Sequence, residues 1–152
     1  MVCAFDVVEH VEDDAAAMKE MERVCKPEGI ICVTVPAFKM LWGDHDIVNG
    51  HYRRYTKNSL LSLGKGFNYF KNAEVRYFNS LLFLPILASR KTAGLFSTDQ
   101  RKIQSDFTYY KNPGVINGFL KRVFNTEAGL FRFIHFPFGV SLVAVWKAEK
   151  NK

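Results

Sequence analysis

No two cysteines in this 152-residue chain stand at C-x-x-C spacing, and there are only three of them, Cys3, Cys25 and Cys32. That excludes a zinc ribbon or a thioredoxin-type redox centre and gives no basis for a disulfide framework. Each lies in an apolar segment, so the three read as reduced core residues of a cytosolic protein. Long hydrophobic runs are also missing. The longest, Leu81 to Ala88, is interrupted by Pro85 and falls far short of the roughly 20 residues that a bilayer span needs. Met1 leads straight into an apolar strand pattern, without the basic segment and apolar stretch of a signal peptide. Residues 1–14 lack lysine and arginine altogether, although the whole chain carries a formal charge of +6.

What is present fits an ordinary globular domain: 48% hydrophobic and 24% charged residues, enough apolar material for one core. A single domain over residues 1–152 is the expectation. The first 14 residues hold five acids, Asp6, Glu9, Glu12, Asp13 and Asp14, while the bases are spread over the rest. This asymmetry predicts an acidic pocket on a basic body. Such a body attracts nucleic acid, anionic lipid or phosphorylated ligands alike, so charge alone does not choose among them.

The apolar run Val2–Phe5 predicts a buried strand. Asp13 or Asp14 then caps a helix with Ala17, Met18, Met21, Val24 and Cys25 on one face. Lys26-Pro27-Glu28-Gly29 ends it, with Gly29 expected to supply the free backbone for the turn. Ile30 to Val35 is apolar without alternation, the pattern of a parallel strand buried on both faces. Strand, helix and strand make a right-handed βαβ unit. Pro36 to Tyr55 reads as a polar and aromatic loop, and Thr56 as the cap of a short helix ending near Gly64. Residues 73–78 and 139–150 read as further strands. The intervening stretch of about sixty residues is long for a plain connection and predicts a helical insertion at about 80–136, with helices at Ser80–Lys91 and Val115–Phe133.

Within this frame, "FDVVEHVEDDAAAMKEMERVCKPEGIICVTVPA", "HDIVNGHYRRYTKNSL" and "FGVSLVAVWK" resemble the second half of the class I S-adenosylmethionine-dependent methyltransferases. The resemblance implies a Rossmann-like α/β fold whose final antiparallel strand is inserted beside the fifth. Only the equivalents of strands four to seven are present in this sequence. The three N-terminal strands, the G-x-G-x-G loop and the ribose-binding acid of that family have no counterpart here, which leaves the fold incomplete. Gly64-Lys65-Gly66 follows a helix rather than a strand and reads as a helix stop.

The resemblance implies S-adenosylmethionine as cofactor in the complete enzyme, with its methionine end at Ala4, Phe5 and Asp6. It places a small-molecule acceptor among Glu9, His10, Trp42, Arg53 and Tyr55. His45 and His51 are the candidate bases for a hydroxyl acceptor, because imidazole titrates near neutral pH. On the plainer reading, His45 and Asp46 fix the loop, and Arg53 and Arg54 sit in solvent. Asp6, Glu9, His10 and His51 also resemble the set with which small-RNA 2'-O-methyltransferases hold a divalent ion. The same string occurs in methyltransferases without metal, and no metal is assigned.

Segments 77–91 and 118–136 mix apolar and basic residues. They predict core-facing helices, or else a roof over an apolar or lipid-linked acceptor that touches a membrane peripherally. Two other classes fit the same sequence: an RNA methyltransferase with a divalent metal, and a degenerate, non-catalytic interaction domain that associates through its exposed first strand.

Overall fold

The computed structural model describes residues 1–68, 70, 72–96 and 115–147. Four strands, β1 (Val2–Phe5), β2 (Ile30–Pro36), β3 (Asn72–Phe78) and β4 (Ser141–Lys147), form one sheet in the order β1-β2-β4-β3. β1 pairs parallel with β2, whereas β4 runs antiparallel to both β2 and β3. The last strand in sequence therefore lies inside the sheet, as the resemblance implied.

Helices α1 (Asp14–Val24) and α3 (Lys57–Leu63) cover one face. Each starts where its cap residue dictates. Asp13 Oδ1 accepts the Ala16 N–H at 2.8 Å, and Thr56 Oγ1 accepts the Ser59 N–H at 3.1 Å, satisfying donors that the first helical turn leaves open. Beneath them Ile31, Val33 and Val35 of β2 and Leu142, Ala144 and Trp146 of β4 are fully or almost fully buried. Each large apolar side chain so buried contributes about 1.5–3 kcal/mol. A short 3-10 turn, Gly64–Gly66, follows α3. A Cβ on Gly64 would lie 2.2 Å from the Trp146 indole nitrogen, so this glycine lets the backbone approach the core tryptophan as well as stopping the helix.

The opposite face departs from expectation. Ile30, Cys32 and Thr34 are only half-buried, because among the described residues this face is covered mainly toward the carboxyl end of β2. Cys3 is exposed rather than a core residue, since it points to the same uncovered face. The cover comes from α5 (Val115–Phe131), which with α4 (Phe83–Phe96) lies between β3 and β4 in sequence. The predicted strand end at 148–150 lies outside the described residues. Glu127 of α5 is buried, and its two carboxylate oxygens accept the Ser80 and Leu81 N–H groups at 2.8 and 3.1 Å, just before α4. Arg76 of β3 donates to the Phe131 carbonyl at 3.2 Å, a cation at the carboxyl end of α5. Among the described residues, no helix is long and apolar enough to cross a membrane.

Two local readings need correction. In the Lys26–Gly29 turn the left-handed residue is Glu28, at φ 60°, and Gly29 is not in that region. The stretch from Pro36 to Tyr55 is more than loop. It holds a 3-10 turn, Lys39–Leu41, and a short helix α2, Asp44–Val48.

Candidate active site

The carboxyl ends of β1 and β2 meet the segment that follows β2, as ligand sites do in open α/β sheets. At the end of β1, Phe5 is exposed and Asp6 has a left-handed backbone, φ 51°. The Asp6 N–H donates to the Thr34 carbonyl at 3.1 Å, and the Thr34 hydroxyl donates to Asp6 Oδ1 at 3.2 Å. Ala4 is half-buried against the core. The next turn, Val8–His10, sends Val8 and Glu9 inward. The Tyr52 N–H donates to the Glu9 carbonyl at 2.8 Å, which ties this turn to the segment after β2.

That segment is built around Asp46. Asn49 caps the carboxyl end of helix α2, and Gly50 follows at φ 68°. The Gly50 N–H donates to the Ile47 carbonyl and the His51 N–H to the Asp46 carbonyl, at 3.1 and 2.9 Å. This pair of bonds closing over a left-handed glycine is a Schellman motif, and it returns His51 to Asp46. The His51 Nδ1–H then donates to Asp46 Oδ1 at 2.8 Å, Arg54 Nε to the same oxygen at 2.7 Å, and the Gly43 N–H to Oδ2 at 2.9 Å. Asp46 is wholly buried. Burial alone would raise its carboxyl, but the bonds from Arg54, Gly43 and His51 outweigh it and hold the group below its ordinary value. With Nδ1 carrying the proton, His51 keeps its Nε2 lone pair for chemistry.

Glu9 contrasts with Asp46. It is 1% exposed, and among the described residues neither carboxylate oxygen has a hydrogen-bond partner. Burial pushes its pKa up to about 7, with the nearby Asp6 and Asp46 adding to the rise. An oxygen of Glu9 and one nitrogen each of His10 and His51 lie within 4.8 Å of one another, and the two imidazoles meet edge to face with centroids 4.6 Å apart. These three side chains form a polar knot that can exchange protons, and their spacing is also compatible with one divalent cation. Asp6, the fourth residue of the sequence-derived metal set, is turned to Thr34 and stands outside this group.

The remaining candidates divide by partner. The side-chain amide nitrogen of Asn49 lies 2.9 Å from His45 Nε2, and the His45 ring is 6.2 Å from that of His51. Asp14 accepts from Arg53 Nη1 at 2.8 Å and from the Tyr55 hydroxyl at 2.9 Å, while Arg53 Nη2 donates to the Glu12 carbonyl at 2.6 Å. Burial first, and then the bond to Asp14, push the Tyr55 phenol up. Arg53 and Tyr55 thus clamp the segment onto the start of α1. Trp42 is half-buried at the end of the Lys39–Leu41 turn. The expectation that both arginines sit in solvent does not hold: the Arg54 side chain is 5% exposed, paired to Asp46, and donates to the Ala37 carbonyl at 3.1 Å. Asp46 does fix the segment, as on the plainer reading, through Gly43, His51 and Arg54. The pairing with Arg54 was not apparent from the sequence, and the Asn49-Gly50 pair is the signal for the turn that brings the chain back.

Beside these groups, on the far face of the sheet, α5 roofs a cavity of about 510 Å³ walled by Thr34, Phe78, Phe124, Phe131 and Val143 among others.

Comparison with known proteins bears on the fold. Residues 1–33 match the sequence family described as "Methyltransferase domain". No curated protein matches the chain. A solved structure of phosphoethanolamine N-methyltransferase 2 from Haemonchus contortus, in complex with S-adenosyl-L-methionine, superposes with a TM-score of 0.50 at 13% identity. The match covers 98% of this chain and 33% of that one, so the chain spans about a third of the length of that protein. Residues 1–33 are thus similar to the methyltransferase-domain family, and the four-stranded sheet with its helices is an incomplete Rossmann-like α/β fold similar to part of that S-adenosyl-L-methionine-bound structure.

Proposed function

We propose that this chain forms the acceptor side of an S-adenosylmethionine-dependent methyltransferase that acts on a hydroxyl group of a small molecule. The observation that carries the reading is the Asp46–His51 hydrogen bond of 2.8 Å, which fixes one imidazole tautomer beside the buried Glu9. The exposed turn at Phe5 and Asp6, with Ala4 behind it, suits the methionine end of the cofactor, which when bound supplies the electrophilic methyl group. His51 Nε2 accepts the acceptor's hydroxyl proton and Asp46 stabilises the imidazolium that results, while Glu9 stays buried beside the His10 and His51 rings. His45, engaged by Asn49, supports the segment from behind. His10 and Trp42 line the approach, and Arg53 and Tyr55 hold the segment against α1.

The cavity under α5 favours an acceptor with an apolar portion. Its volume is in the range of small-molecule sites, and Thr34 in its wall is bonded to Asp6, so cavity and cofactor end share a boundary.

The test is methyl transfer from labelled S-adenosylmethionine to hydroxyl-bearing acceptors, in an assembly that supplies the glycine-rich nucleoside half of the fold. Activity should rise with pH, and His51→Gln should lower kcat and flatten that rise, while His45→Gln keeps it. A profile unchanged in His51→Gln would remove the base from the reading.

A further inference from the structure

Of the buried side-chain polar atoms among the described residues, the two oxygens of Glu9 alone lack a hydrogen-bond partner. A carboxylate taken out of water is stabilised by a paired charge or by a metal ion, and what stands beside Glu9 is a pair of imidazoles. One of its oxygens and one nitrogen each of His10 and His51 lie within 4.8 Å of one another. Tetrahedral ligation at about 2.0–2.1 Å sets donors roughly 3.3 Å apart, so the three side chains have a short distance to close. His10 can supply that movement, since it is exposed at the surface and packs edge to face on His51.

The other two ligands are held in advance. His51 gives its Nδ1–H to Asp46 at 2.8 Å, which leaves Nε2 as the ligand atom, and Asp46 is itself fixed by Arg54 and Gly43. A carboxylate behind the distal nitrogen of a histidine orients the ring and raises its basicity toward a metal. Glu9 is tied in place through its carbonyl, which accepts the Tyr52 N–H. Charge at this point favours a cation, because Glu9, Asp46 and the neighbouring Asp6 act there against one guanidinium, Arg54, which is already paired. The donor set then chooses among cations. Two imidazole nitrogens and one carboxylate oxygen suit zinc or cobalt, whereas magnesium takes oxygen ligands, and the carboxylate of Asp6 is bonded to Thr34 instead. Three protein ligands leave a fourth position open.

We infer that Glu9, His10 and His51 form a three-ligand site for a divalent transition-metal cation of the zinc class. While a cation is bound, His51 Nε2 has no lone pair for a proton, so the same imidazole serves as metal ligand or as base but not as both at once. The site is tested on the chain alone, without cofactor or acceptor, so its failure would leave the methyl-transfer reading as it stands. Cobalt titrated into the chain should bind as a single ion with a dissociation constant of about 100 μM or tighter. It should give the visible bands of a tetrahedral ion without thiolate charge-transfer absorption. Zinc should abolish those bands, and magnesium in roughly thousandfold excess should leave them. Glu9→Gln and His10→Gln should each weaken binding by roughly 100-fold or more, beyond the 10–100-fold that outer partners of a metal site carry. Circular dichroism melts should show both variants folded, since His10 is exposed and Glu9→Gln removes a buried charge. Cys3→Ser and His135→Gln, both at exposed positions, should bind as the parent does. Binding weaker than about 100 μM, binding that persists in Glu9→Gln and His10→Gln, binding lost in Cys3→Ser, or displacement of cobalt by magnesium would each overturn the inference.

Discussion

Replacing Glu9 by glutamine should stabilise the protein, and by an amount set by pH. Glu9 is buried with no hydrogen-bond partner for either oxygen among the described residues, and its pKa rises from 4.5 in the open chain to about 7 in the fold. The folded state therefore holds a proton that the unfolded state has already released, so stability falls as pH rises from about 4.5 to about 7 and is flat above that. At about 1.4 kcal/mol per pH unit, the buried charge costs roughly 3 kcal/mol at pH 8. Glutamine keeps the shape of the protonated acid and never ionises. Urea denaturation followed by the fluorescence of Trp146, buried in the core, should find Glu9→Gln more stable than the parent by about 3 kcal/mol at pH 8 and by under about 1 kcal/mol at pH 5. A gap between the two proteins that stays the same at both pH values would show that Glu9 titrates as it does in the open chain. The premise of a proton stored beside His51 would then fail.

Asp46→Asn should act in the opposite sense. It strands the buried Arg54 guanidinium and should cost about 3–5 kcal/mol at neutral pH, and because the Asp46 carboxyl is held below its ordinary value, the parent should lose this contribution only as acid is added below the usual carboxylate range; a cost under about 1 kcal/mol by the same denaturation would mean that the pair does not form. Gly50→Ala should lose about 1 kcal/mol because its φ of 68° disfavours a Cβ, and Gly50→Asn should lose less, so equal stability of the alanine variant would remove the Schellman turn. By itself this chain should bind S-adenosylhomocysteine at millimolar strength or weaker, since it has no glycine-rich loop, and a micromolar constant in isothermal titration, roughly −8 kcal/mol, would refute that.

The architecture was largely legible from hydrophobic pattern and punctuation. The apolar strand at Ile30, the capping aspartate before α1 and the threonine before α3 all act locally, and local signals survive without knowledge of the partner. The burial of β2 was legible only on one side, because the other depends on where α5 lands. The site was legible as a cluster of residue types but not as a network. Glu9, His10 and His51 do come together, and Asp46, read as a residue that fixes the loop, also binds Arg54, which no local pattern announced. Its role arises from a left-handed Gly50, and the Asn49-Gly50 pair was the available signal for that turn. Arg53 and Tyr55 stand out in the sequence as reactive groups. In the fold they are bound to Asp14, a contact spanning 41 residues between Tyr55 and Asp14 that no local pattern encodes.

The position of β4 between β2 and β3 imposes an order on synthesis. Ile30 must find Lys147, and Asn72 must find the same residue from the other side, so neither neighbour has its partner until nearly all of these residues have left the ribosome. Until then β2 lacks the neighbour on its β4 side, and β3 has no β4 beside it. Contacts this remote in sequence form slowly, and the waiting strand edges are sites of wrong pairing. Release of the final strand is thus the event that closes the sheet, and a nascent chain stalled before residue 141 is the species a chaperone would meet.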